Sequence, residues 1–227
     1  MEPLDGEAKA AASPRLEDGD GALPARSPAE DRIRADFDAG DFDAAATRFI
    51  SEFGGEILGF LVGRARDAAE GAEVFSEFTE DFWNGLPGFQ WRTSIRGWGY
   101  TLARNAFFRH LNRKRKMRGT LAVPQDTNFE AEAAKVRTTT LLYLRTEVKS
   151  RMREIREQLP QDDQTLLVLR IDRNLSWNEL AAIMSGLGED LSPQELSRWS
   201  ARLRQRFQTV KEKLRTLAAK EGLLGPQ

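Results

Sequence analysis

Apolar residues in this chain recur at intervals of three and four, and no segment alternates at intervals of two. Phe49, Phe53, Ile57, Phe60 and Leu61 mark one stripe, and Val74, Phe75, Phe78, Phe82 and Trp83 a second. A period near 3.6 gathers side chains on one face of a helix, whereas a half-buried strand requires a period of two. The pattern therefore predicts an all-α protein. Gly54 and Gly55 are weak points of the first helix. The second helix stops at Asn84-Gly85, with Pro87-Gly88 just beyond. Ser94 is placed to cap a third helix that runs to about Met117, with Ile95, Trp98, Leu102 and Ala106 as its core-facing stripe.

A second helical block begins with Leu141, Leu142, Leu144 and Val148, and Leu159-Pro160 interrupts it because proline cannot continue a helix. Leu166, Leu167, Leu169 and Ile171 mark a short helix. Ser176 caps the next, with Glu179 completing a capping box. Ser192, Pro193 and Glu195 repeat the device at the head of a long helix striped by Leu196, Leu203, Phe207, Val210, Leu214 and Leu217. The expected organisation is two small helical bundles. They occupy residues 41–118 and 139–220, joined by a flexible linker over 119–138 and followed by a tail, 221–227. Residues 1–40, rich in Ala, Gly, Pro and acids, read as a disordered acidic extension.

Composition narrows the chemistry. The chain has 227 residues, no Cys and a single His, His110. That removes disulfides, thiolate metal sites and Cys nucleophiles, and leaves little for a His-based metal site or triad. No paired carboxylates, P-loop or nucleophile constellation stands out, so neither catalysis nor a cofactor is expected. The longest apolar run, Ile57 to Gly63, is far short of the ~20 residues of a membrane span, and the acidic N-terminus is unlike a signal peptide. These features predict a soluble, cytoplasmic chain.

The net charge of −1 conceals a strong segregation. Residues 1–90 carry 20 acids and 8 bases, whereas residues 91–125 carry 9 bases and no acid. Residues 126–195 carry 13 acids and 9 bases, and residues 196–227 carry 8 bases and 2 acids. Such clustering is the electrostatic footprint of a polyanion-binding surface. In the first basic block, Arg104, Arg109, Asn112 and Arg113 fall off the apolar stripe, where they can meet phosphates or base edges. Trp91, Trp98 and Tyr100 offer flat faces for an unpaired base, with Trp91, in the loop, the better placed and Trp98 more suited to a core. In the second block, Arg198, Arg202, Arg204 and Arg206 lie off the stripe of a helix that follows a helix and a turn, a geometry that reads the major groove.

With these residues in place, the chain resembles a bacterial RNA polymerase sigma factor of the extracytoplasmic-function type, over about residues 45–118 and 141–218. Glu73-Val74-Phe75-Ser76-Glu77 with Phe82-Trp83 resembles the acidic helix that grips the polymerase clamp; Glu73, Ser76 and Glu77 match it in part. Phe89, Ser94, Arg96, Trp98, Tyr100 and Ala103-Arg104-Asn105 are similar to the promoter-melting and −10-reading segment. Leu159-Pro160, Gln164, Leu169-Arg170, Leu175-Ser176 and Glu179-Leu180-Ala181 are similar to the start of the −35-reading domain, a helix-turn-helix. The resemblance implies a non-catalytic transcription initiation factor whose partners are core RNA polymerase and promoter DNA, with an anti-sigma protein as a further partner class. It implies core-polymerase binding by Glu73, Ser76, Glu77, Phe82 and Trp83. Melting and −10 recognition fall to Trp91, Arg92, Arg96, Trp98, Tyr100, Arg104, Asn105, Arg109, Asn112 and Arg113, and −35 recognition to Arg198, Arg202, Arg204, Gln205 and Arg206.

The turn before the last helix departs from the family pattern, and two registers fit. Either Leu191-Ser192 opens the recognition helix, which puts Ser200 at an apolar position, or Arg202 to Phe207 forms its core after an insertion. The second keeps the apolar spacing of Leu203, Phe207, Val210 and Leu214 and is preferred. Two other functional readings share these features: a DNA-binding regulator that acts without polymerase, and a degenerate sigma-like interaction module.

Overall fold

A computed structural model describes residues 27–120, 151 and 153–223. All regular structure among these residues is helical. Most of the linker expected over 119–138, the start of the second block at residues 141–148, and the acidic stretch before residue 27 lie outside the described residues.

Helix α1 spans Pro28–Asp38, inside the segment expected to be a disordered extension. Its local cause is a full capping box. The Ser27 hydroxyl accepts from the Glu30 N–H at 3.3 Å, and the Ser27 N–H donates to the Glu30 carboxylate at 3.1 Å. Pro28 supplies the first helical φ. Ile33 is fully buried, which ties α1 to the core. Helix α2, Phe42–Ala65, begins at an Asp41 cap and runs unbroken through Gly54 and Gly55. Gly54 faces the neighbouring helix: a Cβ there would lie 3.5 Å from the Phe75 ring. Helix α3, Ala68–Gly85, is capped by Asp67 and buries Val74, Phe78 and Phe82 against α2, where Phe49 and Phe82 stack at 4.0 Å. A single 3-10 turn, Leu86–Gly88, ends it.

Helix α4 spans Ile95–Thr120. Its buried residues include Ile95, Tyr100, Thr101, Ala103, Ala106, Phe107 and His110, while Trp98 and Leu102 are only partly covered. The expected stripe is thus rotated, because α4 is packed on more than one side: α2 and α3 on one, the second half of the chain on the other. In that second half, Ile155 and Leu159 are buried ahead of α5, Gln161–Leu167, which continues as a π turn, Val168–Asp172. Helix α6, Trp177–Ser185, carries the expected Ser176–Glu179 box and ends at Gly186, whose φ of 77° suits glycine. After a 3-10 turn, Gly188–Asp190, helix α7 runs without interruption from Pro193 to Lys220 behind the Ser192–Glu195 box.

Continuity of α7 bears on the two registers. The helix opens at Ser192, and Leu203, Phe207 and Val210 are buried on the same helix. Ser200 is buried as well, and its one hydroxyl proton is shared between the Trp177 carbonyl at 3.2 Å and the Asn178 side-chain oxygen at 3.0 Å. A small hydroxyl with two partners fills a position that otherwise calls for an apolar side chain.

The two halves pack on each other through α4 and α6, and one buried apolar cluster extends through both. Polar contacts cross the same seam. Ser94 donates to Glu179, Asn105 Nδ2 to the Gly186 carbonyl at 2.9 Å, and Arg96 to the Arg173 carbonyl at 3.1 Å. Among the described residues no helix is long and apolar enough to cross a membrane.

Candidate protein and nucleic-acid interfaces

Three surfaces carry the residues singled out from the sequence. The first is the exposed face of α3. Glu73 is 65% exposed at its side chain, and Ser76 and Trp83 are also open to solvent. Phe82 is only 1% exposed and belongs to the core, so it positions this face without reaching a partner. Glu77 is half-buried and held by Arg113 of α4. Behind it lies an arrangement that single-residue reading misses. His110 Nε2 sits 3.0 Å from Glu70, with its Nδ1 3.8 Å from Glu73 and 3.9 Å from Glu77. The spacing of Glu70, Glu73 and Glu77 on one helix is the signal that could have found it. A carboxylate–imidazole set can ligate a cation, but Arg113 and Lys114, the latter 2.9 Å from Glu70, already bring positive charge to it.

The second surface is the loop before α4 and the outer face of that helix. Trp91 has a left-handed backbone, φ 60°, which is uncommon for a bulky residue. Its ring is held edge-on by Phe37 at 5.4 Å and at a tilt by Phe89 at 4.9 Å, and the Arg34 guanidinium covers it at 4.5 Å. Trp98 stacks on Phe89 at 4.7 Å and contacts Phe82 at 4.9 Å. Tyr100 is fully buried and packs edge-on against Phe60, so it serves as core, and burial pushes its phenol pKa upward.

The cations of this surface fall into two sets. Arg96, Arg104 and the unanticipated Arg64 are drawn inward. Burial works against the Arg96 charge, but two hydrogen bonds to Glu56, at 2.7 and 2.9 Å, outweigh it and hold the group above its ordinary value. Arg64 is pushed down to about 10, first by burial and then by the nearby Arg104 charge; it bonds Thr165 of α5 and lies over Phe107. Burial also lowers Arg104, which is stacked on Phe108 at 4.6 Å with Asp162 3.9 Å away. Arg92, Arg109, Asn112 and Arg113 stay at the surface, although Arg109 pairs with Asp81 and Arg113 with Glu77. Sequence position alone leaves Arg104, Arg109 and Arg113 available; each instead has an acidic neighbour. The exposed pairs of Arg109 and Arg113 exchange readily for other anions, since each is worth only ~0–1 kcal/mol.

The third surface is the outer face of α7. Arg198, Arg202 and Gln205 are exposed. Arg206 is tied to Asp163 at 2.5 Å, and Arg204 approaches the Trp177 ring at 5.8 Å.

No protein-family model matches the chain. Two curated proteins are similar to it. One is the RNA polymerase sigma-H factor of Pseudomonas aeruginosa, 27% identical over 139 residues, which covers 57% of this chain and 69% of that protein. The other is the RNA polymerase sigma factor YlaC of Bacillus subtilis, 30% identical over 154 residues, covering 65% of this chain and 82% of that protein.

Proposed function

This chain belongs to the RNA polymerase sigma factors, and from that premise we propose that it is a transcription initiation factor of the extracytoplasmic-function type. It directs core RNA polymerase to promoters, opens the −10 element and holds the −35 element. The observation that carries this reading is the placement of an acid-free, nine-base segment with an aromatic loop beside the acidic outer face of α3. One face suits a basic protein surface and the other a melted DNA strand.

The division of labour follows from exposure. Glu73, Ser76 and Trp83 meet the polymerase, with Glu77 joining them by exchanging Arg113 for a polymerase cation. Arg92, Arg109, Asn112 and Arg113 track the DNA backbone, and each neutralised phosphate releases counterions. Trp91 and Trp98 border the loop where an extruded base would stack; Arg96 stands in the first turn of α4 behind it, and Asn105 further along the same helix. Arg198, Arg202 and Gln205 contact −35 bases, with Arg204 and Arg206 as neighbours on α7. Phosphodiester formation belongs to the polymerase. A restraining anti-sigma protein, the remaining partner of this reading, would compete for the same faces.

Run-off transcription with purified core polymerase and a genomic library tests the proposal. Discrete transcripts sharing upstream sequence elements support it. Tight binding to core with no transcript from any template overturns it in favour of an interaction module, and tight operator binding without polymerase favours a conventional regulator.

A further inference from the structure

Glu70, Glu73 and Glu77 follow one another on successive turns of α3, on the side that meets His110 of α4. The His110 side chain is only 6% exposed. Its Nε2 lies 3.0 Å from Glu70 Oε1, and the other Glu70 oxygen accepts from Lys114 at 2.9 Å. A carboxylate paired with a lysine in this way can only accept, so Nε2 carries the imidazole proton. The opposite nitrogen, Nδ1, faces Glu73 Oε1 at 3.8 Å and Glu77 Oε1 at 3.9 Å, both too far for a hydrogen bond.

Neither protonation state of the imidazole satisfies that nitrogen. Unprotonated, its lone pair faces two negatively charged oxygens; protonated, its N–H reaches neither of them. A cation held among the three atoms satisfies all of them. A tetrahedral ion with bonds of ~2.0–2.1 Å holds adjacent ligand atoms ~3.3 Å apart. The donor atoms here all lie within 4.8 Å of one another, and the exposed Glu73 side chain has the freedom to close the difference. An imidazole whose far N–H is donated to a carboxylate is also the arrangement that orients metal-bound histidines. Three carboxylates stand against two cations, Arg113 and Lys114, which leaves the cluster with one net negative charge. Lys114 is engaged with Glu70 and stays outside the set of three. Arg113 contests Glu77, but its side chain is half exposed, and such pairs are weak.

We propose that Glu73, Glu77 and His110 bind one divalent transition-metal ion of the zinc class, with Glu70 positioning the imidazole from behind. Three protein ligands and an open fourth position make up a familiar zinc coordination. A nitrogen among the donors favours zinc, cobalt or nickel over magnesium and calcium, which take oxygen ligands. A cleft lined by Asp67, Ala69, Glu70, Glu73, His110 and Lys114 gives a hydrated ion access. The single histidine of the chain suffices because two glutamates complete the set. Metal at this site withdraws Glu73 and Glu77 from the polymerase. That consequence rests on the proposed function, whereas the metal site does not.

The test titrates zinc chloride into the full, tag-free chain by calorimetry, with the visible absorption of bound Co²⁺ as a second readout. The parent should bind one equivalent of zinc, and its Co²⁺ form should show the intensified bands of a low-coordinate ion. Glu73→Gln, Glu77→Gln and His110→Gln should each lose saturable binding; the two glutamate variants decide the outcome if His110→Gln does not fold. Glu70→Gln should weaken binding ~10–100-fold, the scale of a lost outer carboxylate. Glu80→Gln removes the same charge from an exposed position of α3 and should leave affinity within about twofold. A large excess of Mg²⁺ should not displace the zinc. The proposal is overturned if the parent takes up no zinc, if Glu80→Gln weakens binding as much as Glu73→Gln, or if Mg²⁺ displaces the ion. Zinc at a level that fills the parent but not Glu70→Gln should lower capture of the parent alone by core polymerase. Zinc uptake without that loss keeps the metal site and overturns its effect on polymerase binding, so the two fail separately.

Discussion

Replacing Gly71 by Ala should destabilise the fold, although Ala is the better helix former by about 1 kcal/mol. Gly71 lies in the first turns of α3, at its closest approach to α2. A Cβ at this position would meet Val62 at 2.7 Å from Cα, 2.9 Å from N and 2.6 Å from Cγ2. Two of those atoms are backbone, so no rotamer change relieves the contact. Carbon atoms rest at about 3.5–4.0 Å, and the helices must therefore separate by about 1 Å. Overpacking of this kind costs about 1–3 kcal/mol, which exceeds the propensity gain over most of its range. For a chain of this size each kcal/mol moves the melting temperature by about 2–4 °C, so Gly71→Ala should melt several degrees lower. Gly55 and Gly59, exposed on α2 with nothing within 4 Å of where a methyl group would sit, provide the opposite case. Ala at either should raise the melting temperature by about 2–4 °C. Thermal unfolding followed by far-ultraviolet circular dichroism reads all three variants. A Gly71→Ala protein as stable as the parent would refute the α2–α3 packing described above.

The remaining expectations concern α7 and α3. Ser200→Ala should cost about 1 kcal/mol through loss of the hydrogen bond its hydroxyl donates to Trp177 and Asn178, and Ser200→Leu more, because the bulkier side chain must displace the Trp177 backbone; chemical denaturation measures both. Hydrogen bonds from the Ser192 hydroxyl and N–H hold Glu195 below its ordinary value of 4.5. A depressed folded-state pKa contributes stability that is present above the unfolded value and is lost as pH falls through the folded one. The stability advantage of the parent over Glu195→Gln should therefore shrink on acidification below about pH 4.5; a constant difference contradicts the cap. Glu73→Arg should weaken binding to core polymerase while leaving the melting temperature nearly unchanged, because this carboxylate is largely exposed. Unchanged affinity in a sedimentation or pull-down assay would remove α3 from the polymerase contact.

Local rules carry the reading of the helices, and their uneven success has physical causes. The stripes of α2 and α3 are legible because each buries one side. That of α4 is misplaced by periodicity alone, since a helix wedged between α2, α3 and α6 has no single apolar face. The Ser-Pro-x-Glu start of α7 stands out in the sequence, yet the same four-residue device at Ser27 to Glu30 does not. There, the surrounding acidic, Ala-rich composition masks the spacing of Ile33 and Phe37. The rules that distinguish core from surface separate Trp98 and Tyr100 incompletely, because an aromatic side chain suits either setting. Contacts such as Glu189 with the Gln90 and Arg92 amides join residues nearly a hundred positions apart. No periodicity or cap encodes them, and only the packed structure brings them together.

The central claim is that this chain opens promoter DNA with the loop and helix face around Trp91 once it is bound to core polymerase. Permanganate reactivity of thymines near the start site, measured with core polymerase plus the chain, tests it most directly. The account predicts reactive thymines confined to the −10 region with the parent protein. It further predicts that Trp91→Ala or Asn105→Ala suppresses that reactivity while binding to core polymerase is retained. Equal loss of opening and of core binding in these variants, or an unreactive −10 region with the parent, would contradict it.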